Sequence, residues 1–190
     1  MTGLEFSAGI PGTIGGAVIM NAGAWGKEIK DVLAKMSWLE NGIIKSCPRD
    51  ELAFNYRRLE CSPETVVLTA TFALVEGDSA GIKHQCREYI EARRTKQPLG
   101  TPNGGSFFRN PAGVAAGRLI EEAGLKGTKV GGAEVSLVHA NFIVNSGGAK
   151  ADDVIGLMRM VQEKVKEVHG IWLEPEVRIL GHLPGQTVDA

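Results

Sequence analysis

The sequence predicts an α+β fold, with strands dominating the first half and helices packed on a small sheet in the second. Three observations support this class. Asn41-Gly42, the strongest short hairpin signal, stands between strand-like runs at 31–39 and 43–46. The run at 65–75 is rich in β-branched residues and alternates, which predicts another strand. Residues 152–168 instead repeat apolar side chains at the spacing of an amphipathic helix.

The remaining elements follow from turn and cap signals. A helix over 82–95 ends before Pro98. The loop that follows contains Gly100, Pro102, Gly104 and Gly105, and this composition predicts a boundary between two lobes. Gly124 and Gly170 stand where C-caps are expected. The elements predicted after the loop are a short helix over 112–123, strands within 134–144, the helix over 152–168 and a strand over 171–180.

Composition excludes several functional classes. The chain has 190 residues, enough for one large domain or two small ones, with 43% hydrophobic and 23% charged residues. A net charge of −1 gives no indication of nucleic-acid binding. Cys47, Cys61 and Cys86 form no Cys-x-x-Cys pair, which predicts reduced thiols in a cytosolic protein. The four histidines show no metal-ligand spacing, so no metal is expected.

A glycine-rich segment without charge runs between Glu5 and Lys27. Its six glycines and the lack of continuous bulky apolar residues argue against a membrane helix. No basic region precedes it, which argues against a signal peptide. The motif Gly9-Ile10-Pro11-Gly12-Thr13-Ile14-Gly15-Gly16 is expected to form a loop whose backbone amides can hold a pyrophosphate. A purely structural tight turn remains open as the alternative.

Two later segments carry candidate chemistry. Gly105-Ser106-Phe107-Phe108-Arg109-Asn110-Pro111 places a hydroxyl on a glycine-flanked turn, followed by a guanidinium and an amide. Leu173-Glu174-Pro175-Glu176-Val177-Arg178 places a carboxylate in a predicted strand, where an unpaired charge is costly. A hydroxyl able to give up a proton, together with a carboxylate in an unexpected place, indicates proton-transfer chemistry.

These motifs resemble the flavoenzyme family of UDP-N-acetylenolpyruvoylglucosamine reductases, also called the MurB family. Four segments occur in the family's order: 9–16 with its Asn21-Ala22-Gly23, then Phe54-Asn55-Tyr56-Arg57, then 105–111, then 173–178. The stretches 116–120, 124–127 and 131–133 fit as well. The resemblance therefore covers essentially the whole chain, and four ordered motifs are far more specific than any one of them.

The resemblance implies both the architecture and the reaction. Residues 1–98 would be the second part of an FAD-binding α+β domain of the vanillyl-alcohol-oxidase type, and residues 99–190 a small α/β C-terminal domain that binds substrate. The family uses NADPH to reduce bound FAD, and then reduces the enolpyruvyl ether of UDP-N-acetylglucosamine enolpyruvate to UDP-N-acetylmuramate for peptidoglycan synthesis. We accordingly expect a cytoplasmic enzyme with a small-molecule substrate, without membrane or nucleic-acid partners.

The same resemblance implies the site residues. Ser106 matches the proton donor, while Arg57 and Glu176 match the other catalytic residues; Arg57 is suited to grip the substrate carboxylate. The positions expected to bind substrate are Tyr56, Lys96 and Asn110. The positions expected at the cofactor are Gly9, Ile10, Pro11, Gly12, Thr13, Gly15, Gly16, Asn21 and Gly23. Taken singly, structural interpretations stay open: Ser106 as a turn cap, Arg57 as a surface cation and Glu176 as a partner of Arg178.

The chain departs from the family pattern in three places. Arg58-Leu59 stands where the family usually has a small polar residue and a serine. The link between 65–75 and the next helix is short, so no substrate tyrosine from a longer insert can be assigned. The family also has an N-terminal flavin-binding lobe before the segment that opens here, so we expect a shortened chain. Two alternatives therefore remain, a UDP-sugar-binding module without flavin or catalysis and, less favoured, an oxidase of the same broad fold.

Overall fold

The computed structural model describes residues 1–180, which divide into two compact units, Met1–Arg93 and the described residues from Arg94 onward. The fold is a mixture of helices and antiparallel strands, which confirms the α+β class. None of the helices within the described residues combines the length and apolar character that a bilayer crossing requires. The three cysteines are free thiols. The assignment of one domain to flavin and the other to substrate stays a prediction.

The first unit is built around antiparallel pairing. Its elements are α1 (Ile14–Ile19), β1 (Gly23–Ala24), β2 (Lys27–Glu28), β3 (Leu33–Glu40), β4 (Ile43–Pro48), β5 (Phe54–Asn55), β6 (Arg58–Leu59), β7 (Val66–Phe72) and α2 (Ser79–Lys96). The long strands form a sheet in the order β4-β3-β7, and the short strands form the hairpins β1-β2 and β5-β6. The core lies on one face of the sheet, where Phe6, Val18, Met36 and Leu59 are each at most 2% exposed.

The predicted Asn41-Gly42 hairpin is confirmed, and its backbone explains the sequence. Asn41 has φ 51° and Gly42 has φ 76°, so both central residues adopt the left-handed conformation that a type I′ turn requires. Glu40 pairs directly with Ile43 across this turn. Because the two-residue loop fixes the register, Met36 is directed into the core, where it is 1% exposed.

Helix α1 was not predicted, because its sequence, Ile-Gly-Gly-Ala-Val-Ile, contains two glycines that disfavour a helix. Tertiary packing overrides this propensity. The Thr13 side chain accepts a hydrogen bond from the Gly16 N–H at 3.1 Å and thus caps the helix, and Val18 is completely buried. A Cβ on Gly15 would lie 3.4 Å from the Val67 side chain, an ordinary van der Waals contact, so this part of α1 lies next to β7. The expectation of a loop through Gly16 is therefore wrong beyond Thr13.

The second unit has helices packed on a small sheet, as predicted. Its elements after α2 are α3 (Ala116–Glu122), β8 (Lys129–Val130), β9 (Ala133–Val135), β10 (Ile143–Asn145) and α4 (Ala151–His169). The three strands pair antiparallel in the order β10-β9-β8. Helix α4 buries Leu157, Val161 and Val165, each at most 1% exposed, and ends at Gly170 with φ 71°. Each of these buried side chains stabilises the fold by about 1.5–3 kcal/mol relative to an exposed position.

Two predicted elements of the second unit need correction. Helix α3 begins at Ala116 rather than at 112, because Gly113 has φ 79° and interrupts the helical backbone. Residues 171–180 form no strand; they make a single antiparallel bridge between Pro175 and Phe108. Proline has no N–H to donate, which limits the ladder that this segment can form. Glu176 consequently lies beside a bridge and not within a regular strand.

Candidate active site

Ser106 stands at the exposed end of a segment that is otherwise anchored in the core of the second unit. Phe107 and Phe108 follow it and are 6% and 2% exposed, with their ring centroids 5.2 Å apart. The burial of these two rings fixes the segment, while the serine remains exposed. The Ser106 side chain lines an open cleft of about 490 Å³, which we call the serine cleft, together with Asn110, Gly117, His139 and Asn141.

Backbone hydrogen bonds hold Glu176 next to the serine segment. The Glu176 N–H donates to the Phe107 carbonyl at 2.8 Å, and the Arg109 N–H donates to the Glu174 carbonyl at 2.8 Å. These two bonds flank the Phe108–Pro175 bridge. The backbones of Ser106 and Glu176 therefore lie on adjoining antiparallel segments, although 70 residues separate them in the sequence.

The opposite side of the serine segment is held by Asn141, which is 4% exposed. The Asn141 carbonyl accepts from the Phe107 N–H at 2.8 Å. Its side-chain Oδ1 accepts from the Phe108 N–H at 2.9 Å, and its Nδ2 donates to the Phe108 carbonyl at 2.8 Å. The serine segment is consequently bonded along both edges.

His139 and Asn110 complete the serine cleft. His139 Nδ1 accepts from the Asn141 N–H at 3.2 Å, so the neutral ring carries its proton on Nε2. Burial lowers the pKa of His139, which favours this neutral form. Asn110 is exposed, and its Oδ1 accepts from the N–H of Ala116, the first residue of α3, at 2.9 Å. The structure thus brings together Ser106, Asn110 and the Glu176 backbone within the second unit.

Arg57 occupies the turn between β5 and β6 in the first unit. Its φ is 56°, a left-handed conformation that is uncommon for a long side chain. Its Nη2 donates to the Gly23 carbonyl at 2.9 Å, and its guanidinium carbon lies 5.0 Å from the centroid of the Tyr56 ring. The two predicted substrate contacts, Tyr56 and Arg57, therefore form one turn, held against the Asn21-Ala22-Gly23 segment.

Gly23 is required there for close approach and not for an unusual φ. A Cβ at this position would lie 2.8 Å from Arg57 Nη1, from Glu28 Cγ and from the Lys27 carbonyl oxygen. Asn21 is completely buried, and its Nδ2 donates to Glu28 Oε2 at 3.0 Å and to the Asn55 carbonyl at 3.1 Å. Its Oδ1 accepts from the Lys30 N–H at 3.1 Å. The Asn21 side chain thus makes hydrogen bonds to three residues of the first unit. Sequence reasoning had assigned Asn21 to the cofactor, and that assignment stays a prediction.

The rest of the predicted cofactor segment presents backbone to solvent. Gly9 and Gly12 have φ 76° and 135°, and a Cβ on Gly12 would meet no atom within 4 Å. Pro11, Gly12 and Thr13 are exposed. A Cβ on Gly9, in contrast, would lie 3.2 Å from Arg93 Cδ, so the open backbone that fits a phosphate-bearing group is at Gly12. Lys96, the remaining predicted substrate contact, is the exposed last residue of α2.

Sequence reasoning missed Asn141, whereas it judged His139 to be a surface or structural residue. The available signal was a histidine and an asparagine two residues apart, directly before the apolar run Phe142-Ile143-Val144. A polar side chain next to a buried strand is expected to have a partner. The partner of the Asn141 side chain, however, is the backbone of Phe108, 33 residues earlier. Hydrophobic periodicity cannot identify a contact between residues so far apart in the sequence.

Fold and site together define an α+β protein with a candidate proton-transfer site. Residues 97–180 match the family described as UDP-N-acetylenolpyruvoylglucosamine reductase, C-terminal domain. The chain is 49% identical over 181 residues to the UDP-N-acetylenolpyruvoylglucosamine reductase of Geotalea uraniireducens, covering 95% of this chain and 60% of that protein. It is 50% identical over 183 residues to the reductase of Exiguobacterium sibiricum, with the same shares of each chain.

A solved structure agrees with these sequence matches. The crystal structure of UDP-N-acetylenolpyruvylglucosamine reductase (MurB) from Thermus caldophilus superposes with a TM-score of 0.81 at 40% identity. The match covers 92% of this chain and 64% of that one. The resemblance seen in the motifs is therefore confirmed, and it includes the C-terminal domain of the UDP-N-acetylenolpyruvoylglucosamine reductases. The chain spans about 60% of the length of the curated relatives it matches.

Proposed function

We propose that this chain provides proton transfer and substrate binding in the NADPH- and FAD-dependent reduction of UDP-N-acetylglucosamine enolpyruvate to UDP-N-acetylmuramate. The observation that supports this most is the 2.8 Å bond from the Glu176 N–H to the Phe107 carbonyl, which joins the segments carrying Ser106 and Glu176. The proposal includes a cytoplasmic role in peptidoglycan precursor synthesis, and through it in cell-wall biogenesis, cell shape and cell division.

Ser106 is proposed as the proton donor. Reduction of a carbon–carbon double bond requires a hydride at one carbon, which a reduced flavin supplies when bound, and a proton at the other. Ser106 is exposed and lines the serine cleft, so its hydroxyl is proposed to be within reach of a ligand bound there. An alcohol is a weak acid, but an enolate-like carbon is a strong base, which makes the transfer feasible with a well-placed donor.

Arg57 and Glu176 are proposed to act on the substrate carboxylate. A guanidinium has five N–H donors in a planar fork, and the 2.9 Å bond from Arg57 Nη2 to the Gly23 carbonyl sets the orientation of that fork. A cation oriented before substrate arrives stabilises the charge that develops on the carboxylate, without reorganisation during the reaction. Glu176 is proposed to polarise the same group. Tyr56, Lys96 and Asn110 are proposed to bind the rest of the substrate.

The glycine-rich segment is proposed to hold the pyrophosphate of FAD. Gly9 and Gly12 have positive φ, and the space above Gly12 is open. A backbone without side chains allows amide groups to approach an anion closely. The residues proposed to line this site are Gly9, Ile10, Pro11, Gly12, Thr13, Gly15 and Gly16. Asn21 and Gly23 are proposed to belong to the same cofactor site, and they also contact the segment that carries Arg57.

The test separates the two half-reactions of the flavin-loaded protein by stopped-flow absorbance. Ser106→Ala is expected to leave flavin reduction by NADPH unchanged and to slow flavin reoxidation by substrate roughly 10²- to 10⁴-fold, the usual contribution of a general acid. Ser146→Ala is the matched control, since that hydroxyl also belongs to the second unit and donates to the Gly132 carbonyl at 3.1 Å. Equal loss in both half-reactions would contradict the proton-donor assignment. Purified protein that retains no FAD yet binds the UDP-sugar would support the binding-module alternative.

A further inference from the structure

We infer that Asn141 is a positioning residue for Ser106, and that its side-chain amide takes the place of a neighbouring β-strand along the serine segment. This inference rests on the proposed function for its catalytic consequence, whereas its geometric part stands on the hydrogen bonds alone. Asn141 is not among the residues that the family motifs single out, and it is separated from Ser106 by 35 positions.

The Asn141 amide pairs with the serine segment as a peptide group would. One strand residue normally donates its N–H to, and accepts at its C=O from, the partner strand. Both backbone groups of Phe108 bond to the Asn141 side chain: its N–H donates to Oδ1 at 2.9 Å, and its carbonyl accepts from Nδ2 at 2.8 Å. The carboxamide of asparagine offers a donor and an acceptor on one planar group at this reach.

The serine segment lies between Asn141 on one edge and residues 174–176 on the other. On the other side, the residues 174–176 bond to Phe107 and Arg109 at 2.8 Å each. On the Asn141 side, Phe107 is held by the main-chain carbonyl and Phe108 by the side chain. The backbone is thus fixed from the residue directly after Ser106, and with it the direction in which the serine side chain leaves the chain.

The donor role of Asn141 distinguishes it from another asparagine of the same unit. Asn145 Oδ1 accepts from the Gly147 N–H at 3.0 Å and from the Ala149 N–H at 3.1 Å, so it acts as an acceptor before α4. An aspartate can replace an acceptor-only asparagine. At Asn141, a carboxylate would lose the Nδ2 donor and set its negative charge against the buried Phe108 carbonyl, which is costly. N141D and N145D are therefore matched substitutions with opposite expected outcomes.

Two measurements on these variants test the inference. At neutral pH, N141D is expected to accelerate amide hydrogen exchange at Phe107 and Phe108, while N145D leaves those two amides protected. In the flavin-loaded protein, N141D is expected to slow flavin reoxidation by substrate roughly 10- to 100-fold, the scale of a misplaced reacting group, with flavin reduction by NADPH unchanged. N145D is expected to keep both rates. Should N141D fail to fold, N141S replaces it, because its shorter side chain loses the same pair of bonds.

The possible results distinguish a failure of this inference from a failure of the proposed function. If N141D changes neither hydrogen exchange at Phe107 and Phe108 nor the second half-reaction, the positioning role is wrong. If exchange accelerates but both half-reactions slow equally, Asn141 acts on general stability and the inference is also overturned. If Ser106→Ala itself leaves the second half-reaction intact, the proposed function fails, and the hydrogen-exchange result still decides the geometric part.

Discussion

The Arg57 turn and the serine segment solve the same positioning problem by different means. Each carries a candidate catalytic side chain, and each is tied by a buried asparagine: Asn21 bonds to the Asn55 carbonyl, and Asn141 bonds to both the N–H and the carbonyl of Phe108. Arg57, however, is held in a left-handed backbone with φ 56°, whereas Phe107 and Phe108 lie in an extended segment outside that region. Local strain orients the first residue, and long-range bonding orients the second.

The difference shows which substitutions each region tolerates. In the Arg57 turn, strain is compensated by the bond from Arg57 Nη2 to the Gly23 carbonyl and by the contact with Tyr56. A left-handed backbone at a non-glycine residue costs stability and persists only where the surrounding contacts hold it. The serine segment has no such strain, so its sensitivity lies in the partners of its backbone groups.

The largest effect that distinguishes the Arg57 turn from the serine segment is expected when Arg57 itself is replaced. Arg57→Gly and Arg57→Ala both remove the guanidinium and are expected to slow flavin reoxidation by substrate about 10²-fold or more. Glycine also adopts positive φ without penalty, so Arg57→Gly is expected to be more stable than Arg57→Ala by about 1 kcal/mol. Urea unfolding and stopped-flow absorbance measure the two quantities. Equal stability of the two variants would show that the left-handed turn stores no strain.

A steric test of the same turn is expected to give an intermediate effect. Gly23→Ala would place a Cβ 2.8 Å from Arg57 Nη1 and from the Lys27 carbonyl oxygen, and the backbone oxygen cannot move away easily. We expect a loss of about 1–3 kcal/mol, the usual cost of overpacking, together with weaker substrate binding through the displaced arginine. Gly42→Ala is the control: Gly42 has φ 76° but open space around its Cβ, so it tests left-handed strain alone. If KM rises for both Gly23→Ala and Gly42→Ala, the effect is not specific to Gly23, and close packing at Gly23 is not what positions Arg57.

The elements of the fold differ in how far the sequence predicts them. The Asn41-Gly42 hairpin and helix α4 were predictable because their signals are local: two left-handed residues in one case and a C-capped apolar stripe in the other. Helix α1 was not, since burial of Val18 outweighs two glycines. The strand expected around Glu176 shrinks to one bridge, because pairing depends on what lies opposite and not on composition.

The candidate site divides in the same way. Its candidate catalytic side chains were proposed from motif resemblance, whereas the residues that hold their segments in place were not. Asn21 was assigned to the cofactor because it lies in a motif, and that assignment stays a prediction; the bonds of its amide to Glu28, Asn55 and Lys30 could not be read from the motif. Asn141 belongs to no predicted motif, because its bonds reach 33 residues back to Phe108. Supporting contacts between distant segments become visible only when the fold is known.

The smallest effect concerns His139, which supports Asn141 and has no counterpart beside Arg57. Burial lowers its pKa below the usual value, so the unfolded chain binds a proton more readily than the folded one. The stability that this contributes is present above the unfolded pKa of about 6.5 and is lost as pH falls from there through the lower pKa of the folded state. His139→Gln is therefore expected to flatten the decline of the unfolding free energy between pH 7 and pH 5, measured by urea titration. His84→Gln, at an exposed position on α2, serves as the control. An identical decline in wild type and His139→Gln would mean that the ring titrates freely, and that the serine segment is no more pH-sensitive than the Arg57 turn.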